Sequence, residues 1–207
     1  MIPRKRLALP SVLAAAMVFA AAAGRASAGV PPEVKARAAA IFAALEKIEA
    51  ETARPAPTRP LTAPPAPKPG SRSLTFSEAE FNAYAACRVE AEFGPYVKAA
   101  EFKLLAGNRI EGRIAIDLGK PQASGIMAQK QDLLFAARVE TENGKIRIAM
   151  DKLYLGTQAI VPAFVDVVIG VVSRLQGVEP TSLKDWYDLP PGVQRLESRP
   201  GQVVIIY

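Results

Sequence analysis

The sequence predicts an α+β fold: a long curved antiparallel sheet wrapped on a long apolar helix, preceded by a separate N-terminal helix and a Pro-rich linker. Three observations predict it. Between residues 97 and 155 long segments with alternating apolar residues are divided by turn dipeptides such as Gly107-Asn108 and Asn143-Gly144. Between 159 and 175 lies a stretch apolar on nearly every side. Between 54 and 70 stand seven prolines, which set the N-terminal segment apart from the rest of the chain.

Residues 1–28 read as an export signal. Arg4, Lys5 and Arg6 open it, an apolar run follows from Leu7 to Ala23, and Ala26-Ser27-Ala28 supplies a small-x-small cleavage site before Gly29. Residues 29–53 read as an amphipathic helix. Val34, Ile41, Phe42, Leu45 and Ile48 share one face, and Glu46, Lys47, Glu49 and Glu51 occupy the other. Its acidic polar face favours packing on the body or a partner; membrane-surface contact is left open. Residues 54–70 read as an extended polyproline II spacer or a disordered one, because proline cannot donate to a helix or a central strand.

The body is expected over 71–207 as one domain. Ser71 to Phe76 is its first strand. Ser77 then caps a helix running to about Glu92. The Ser77 hydroxyl faces the amide three residues on, Glu80 reaches back, and Phe76 packs on Phe81. Four strands follow: Val97–Ala106, Arg109–Leu118, Asp132–Thr141 and Lys145–Leu155. At about 3.3 Å per residue the last of these spans about 36 Å, long enough to coil. Gly112, in mid-strand, suggests a bulge or sharp bend. Pro162 near its start and Gly177 after its end favour a helix over 159–175. Asp166, Gly170, Ser173 and Arg174 share one narrow stripe of it. Trp186 and Tyr187 are placed on a loop, and strands Val193–Ser198 and Gln202–Tyr207 flank Pro200-Gly201.

Composition narrows the chemistry. The chain has 26 basic and 20 acidic residues, a net charge of +6. Residues 1–28 hold four basic residues and no acid, so the processed chain carries only +2. That is no nucleic-acid footprint, which needs a clustered basic excess. There is no histidine, which removes Ser-His-Asp and Cys-His nucleophilic sites and His-ligated metals. Cys87 is the single cysteine, reads as a small buried thiol, and leaves no intramolecular disulfide. Glu78 and Glu80 suit the positive end of a helix dipole. Asp117, Asp132, Glu140 and Asp151 lie beside Arg and Lys on strands and read as a solvated face. No catalytic set, metal site or cofactor motif converges, so the chain is read as a non-enzyme.

The run Leu74-Thr75-Phe76-Ser77-Glu78-Ala79-Glu80-Phe81-Asn82-Ala83-Tyr84 resembles the opening strand-helix motif of bacterial cell-envelope proteins with a tubular lipid-binding (TULIP-like) fold. The order of the later elements is also similar, including the turn Leu189-Pro190-Pro191-Gly192-Val193. The resemblance covers about 71–207 and implies a lipid-holding apolar groove between sheet and helix. On that reading Phe164, Val168, Val171, Val172 and Leu175 face the groove from the helix. Ile114, Ile116, Leu133, Phe135, Ile146 and Ile148 face it from the sheet. The expected function is non-catalytic binding of a lipid or other amphiphile, in the periplasm or outside the cell after cleavage near Ala28. The alternative is an interaction domain of a cell-envelope assembly, with a protein partner and a filled core.

Overall fold

The computed structural model describes residues 29–53, 72–93, 97–116, 131–161, 163, 166, 182 and 184–207. Helix α1 (Pro32–Ala53) comes first, then strand β1 (Ser73–Ser77) and helix α2 (Glu78–Phe93). A meander comes next: β2 (Val97–Leu104), β3 (Arg109–Ile116), β4 (Gln131–Glu142) and β5 (Lys145–Leu155). Two short strands, β6 (Gln158–Ala159) and β7 (Tyr187–Asp188), both pair with β5. β8 (Arg195–Arg199) and β9 (Gln202–Ile206) close the chain. The class is α+β with a curled antiparallel sheet, but the strands make two sheets rather than one. Large-sheet order is β2-β3-β4-β5-β6, and β1-β9-β8 form a separate sheet of three.

The turns derive from residue chemistry. Gly107 and Asn108 have φ of 71° and 58°, and Asn143 and Gly144 have φ of 52° and 72°. Asn and Gly tolerate this left-handed region, and two such residues in succession match the twist of the flanking strands. Tyr187 is not in a loop: its backbone pairs with Ile146, and Asp188 pairs with Lys145.

Gly112 carries no bulge. It keeps register with Phe102 on one side and Phe135 on the other. The bulges lie elsewhere, between Val97 and Ala99 of β2, and opposite Ala136/Ala137, where β5 carries Asp151 as its extra residue. An extra residue switches which parity faces the core. Along β5 the inward set is therefore Ile146 and Ile148 before Asp151, and Leu153 after it.

Helix α2 starts as its sequence signature predicts. The Ser77 amide donates to Glu80 Oε2 at 2.8 Å, the Ser77 hydroxyl donates to the same oxygen at 2.7 Å, and the Glu80 amide donates back to Ser77 Oγ at 3.3 Å. Helix and sheet are joined by two further members of the motif. Asn82 Nδ2 donates to the Phe102 carbonyl and the Phe102 amide donates to Asn82 Oδ1, each at 2.7 Å. The Leu104 amide donates to Glu78 Oε2 at 2.6 Å. β2 is the outermost strand of its sheet, and an open edge is a template for unwanted pairing. Asn82 and Glu78 occupy that edge as a substitute strand.

The favoured reading of residues 29–53 is an amphipathic helix packed on the body or on a partner, and α1 in the structure shares the body's core. Ala38 and Ile41 are 0% exposed and Ile48 2%, in one cluster with Phe81, Tyr84 and Ile146. The Phe42 and Tyr84 rings stand 4.8 Å apart. The apolar helix expected over 159–175 does not start at 159: Ala159 lies in β6, paired with Tyr154, and residues 160 and 161 are not helical; of the rest only Ala163 and Asp166 are described, with helical backbones. No described helix is long and apolar enough to cross a membrane.

Candidate functional site

The large sheet turns one apolar face inward. Ile114, Leu133, Phe135, Ile146 and Ile148 are all buried there, and Ile116 is half-buried. The structure places them in two groups. Ile146 and Ile148 lie at the end where α2 and the small sheet meet the large one, beside Phe81, Phe102, Leu196 and Val203. These side chains enclose a void of about 30 Å³. That is about the liquid volume of one water molecule, so this half of the interior is filled. Ile114 and Leu133 are register neighbours toward the opposite end of the sheet, next to Ile116. Phe135 stands between the groups, its ring 6.1 Å from that of Phe102, which is in turn 5.7 Å from Phe81. The helix-side residues Phe164, Val168, Val171, Val172 and Leu175 lie outside the described residues.

The seam between the sheets is held by polar contacts at its filled end. Ser198 of β8 is 7% exposed, and its hydroxyl shares one proton between the Leu105 carbonyl at 2.8 Å and the Arg109 carbonyl at 3.1 Å. Its amide donates to Asn108 Oδ1 at 2.9 Å. The Thr141 hydroxyl donates to the Leu196 carbonyl at 3.4 Å. Buried polar groups cost free energy unless paired, and these pairings fix how the β2–β3 turn and β4 sit against β8.

A second cavity went unseen in the sequence. It is an open cleft of about 830 Å³, lined among others by Glu51, Thr52, Arg72, Asn143, Arg195 and Tyr207. Arg72 stands at its wall, 2.9 Å from Glu51 and with its guanidinium 5.1 Å from the Tyr207 ring centroid. Glu51 Oε2 is buried and takes charge attraction from Arg72 without a well-aligned hydrogen bond. The cleft's two threonine hydroxyls already donate to carbonyls, Thr52 to Ile48 and Thr141 to Leu196. The cleft is large enough for a small ligand, but it pairs no nucleophile with a base. Its lining comes from four distant stretches of chain, around 48–52, 72, 141–144 and 192–207, so no local pattern marks it.

The outer face of the sheet is charged and paired. Arg113 meets Asp132 at 2.9 Å, Arg138 meets Asp151 at 3.4 Å, and Arg147 meets Glu140 directly across the strand pair. Asp117 lies outside the described residues. Arg147 also lies 4.7 Å from the Trp186 ring centroid, so Glu140, its arginine and the single tryptophan form one surface stack. The Ser77 hydrogen bonds hold the Glu80 carboxyl below its ordinary range. Burial pushes the Cys87 thiol up, opposed by the positive charge of Lys35. Among the described residues no group of three or more Cys, Asp or Glu is placed to hold a metal ion.

No family model, no curated protein and no solved structure matches this chain.

Proposed function

We propose that this is an exported, non-catalytic protein that carries a lipid or other amphiphile against the apolar face of the β2–β6 sheet. One observation supports the reading above the rest. The inward face of the sheet does not stop where α2 and the small sheet fill it, but runs on through Ile114, Leu133 and Leu153. An apolar surface of that extent on long coiled strands suits acyl chains, which need area and no hydrogen bonds. The export signal over 1–28 puts such a carrier in the envelope, where its cargo would be.

A second reading has its own support. The half of the face that α2 covers is packed down to a void of about 30 Å³, as a scaffold domain with a filled core would be throughout. On that reading the protein partner docks outside the core.

Native mass spectrometry and lipid extraction of the processed protein, taken from the export fraction, separate the two. A co-purifying amphiphile at near-stoichiometric occupancy is the expected result. An empty protein that captures a stable envelope partner would replace the carrier reading with the scaffold.

A further inference from the structure

A bare strand edge offers amides and carbonyls to any chain that aligns with it. Most edges of this molecule are covered. Asn82 and Glu78 occupy the edge of β2. On the far side of the large sheet β5 carries β7 near one end and β6 near the other. In the small sheet β8 is tied down, its Ser198 amide donating to Asn108 Oδ1 and its Leu196 carbonyl accepting from the Thr141 hydroxyl. β1 is different. It is the outermost strand of β1-β9-β8, and among the described residues nothing covers its edge in this way. The side chains of Ser73, Thr75 and Ser77 are exposed, and Leu74 is half-buried.

The backbone groups on that edge follow from the pairing on the other side. Arg72 and Tyr207 exchange two backbone hydrogen bonds, each of 2.9 Å. Antiparallel pairing alternates, so Leu74 and Phe76 also bond to β9, while Ser73 and Thr75 turn their amides and carbonyls outward. β1 has none of the usual protections of an edge. It carries no charge and no proline, and it pairs with β9 without a bulge.

We infer that β1 is an interface with a second copy of this chain, the two strands running antiparallel about a two-fold axis at Leu74. Centring the pair there sets Ser73 of each copy opposite Thr75 of the other, so every outward amide and carbonyl of both residues is bonded. Such a contact is self-complementary, as a two-fold interface must be. Leu74 meets Leu74, covering the part of each side chain that the single copy leaves bare, and the Ser73 and Thr75 hydroxyls adjoin across the pair. Charge favours the same orientation. Arg72 precedes β1, and Glu78 and Glu80 follow it. Antiparallel strands bring the basic end of one copy toward the acidic end of the other, whereas parallel strands set like against like. The two small sheets become one sheet of six strands. Five residues of edge are little beside a standard interface of about 1,600 Å², so the dimer is weak and depends on concentration. The contact is the same whether the core holds a lipid or is filled.

Sedimentation equilibrium of the processed chain should show its mass rising from one chain toward two as concentration increases. Thr75→Lys should abolish the rise, because it sets a lysine of each copy near the other. The Thr75 side chain is exposed and its amide does not bond to β9, so the variant should keep its thermal midpoint. Cysteines test the register, and they decide the matter even if the lysine variant fails to fold. Ser73→Cys and Thr75→Cys, made as separate chains, should form an interchain disulfide several-fold faster when mixed than either does alone. Bonded antiparallel pairs stand about 5.5 Å apart at Cα, within reach of a disulfide. Cys87 is buried and stays out of the reaction. A chain that remains monomeric at its highest soluble concentration overturns the inference and leaves the edge to a strand of another protein. Self-association that survives Thr75→Lys in a folded variant, or cysteine chains that cross-link no faster mixed than alone, assigns the dimer to another surface and overturns it equally.

Discussion

Phe135 stands where a side chain on Gly112 would have to go. A Cβ built on that glycine would lie 2.2 Å from Phe135 Cζ and 2.4 Å from Cε1, and the two residues face each other in register on β3 and β4. The ring covers a glycine that would otherwise leave a gap in the sheet. It cannot swing away freely, because it also packs edge-on to Phe102. Gly112→Ala should therefore destabilise the protein by about 1–3 kcal/mol, although alanine is the better strand residue elsewhere. Urea unfolding checks this. In a Phe135→Leu background the same change should cost much less, and equal costs in both backgrounds would show that the ring is not the obstacle.

Asn82 tests the sealed edge. Its side chain makes both bonds to the Phe102 backbone and a third to the Glu78 carbonyl at 3.0 Å. Asn82→Ala leaves a buried strand amide and carbonyl unpaired, at a cost of about 2–4 kcal/mol from three lost bonds. Hydrogen exchange at the Phe102 amide should accelerate, and the open β2 edge should raise concentration-dependent aggregation. An unchanged exchange rate would mean that water or a neighbour replaces the amide side chain.

The capping box predicts a pH dependence with a definite sign. Hydrogen bonds from Ser77 hold the folded Glu80 pKa below its unfolded value. A carboxyl with a lowered folded pKa contributes stability above its unfolded pKa and loses it as pH falls through the folded one. Ser77→Ala should cost about 1 kcal/mol at neutral pH, as lost N-caps do. The gap between wild type and variant should narrow as pH drops below the ordinary glutamate value of about 4.3. Parallel stability curves down to strong acid would assign the cost to something other than the box.

These residues also show what the sequence could tell. Ser77, Glu80 and the Asn-Gly turn are local signals whose partners lie within four residues, and they are legible. The β5 bulge is legible too, since Ile146 and Ile148 are even-numbered and Leu153 is odd, a parity break that only an extra residue explains. Gly112 draws the eye instead, because a glycine in mid-strand is conspicuous while a shift in alternation is not. Asn82 and Glu78 are visible as a motif, but their work is on β2, 20 and 26 residues away. The split into two sheets is hidden for the same reason, since β1 pairs with β9 from the far end of the chain. The cleft around Arg72 has no signature at all, because folding alone brings its four stretches together.

The two halves of the large sheet's inward face should answer differently to the same insult. Ile148 lines the void of about 30 Å³, far less room than a tryptophan needs beyond an isoleucine. Ile148→Trp should therefore overpack the filled half and cost about 1–3 kcal/mol or more, whether or not the protein carries a ligand. Ile114 lies toward the other end of the face, beside Leu133. If an acyl chain occupies that half, Ile114→Trp takes volume the chain would fill, so the variant should lose its co-purifying amphiphile while its thermal midpoint falls little. If that half is packed like the first, both variants lose stability alike and neither wild type nor variant yields an extractable lipid. Thermal unfolding and lipid occupancy measured on the same preparations decide between these patterns. Equal destabilisation in a protein that never carried lipid would leave the scaffold reading standing.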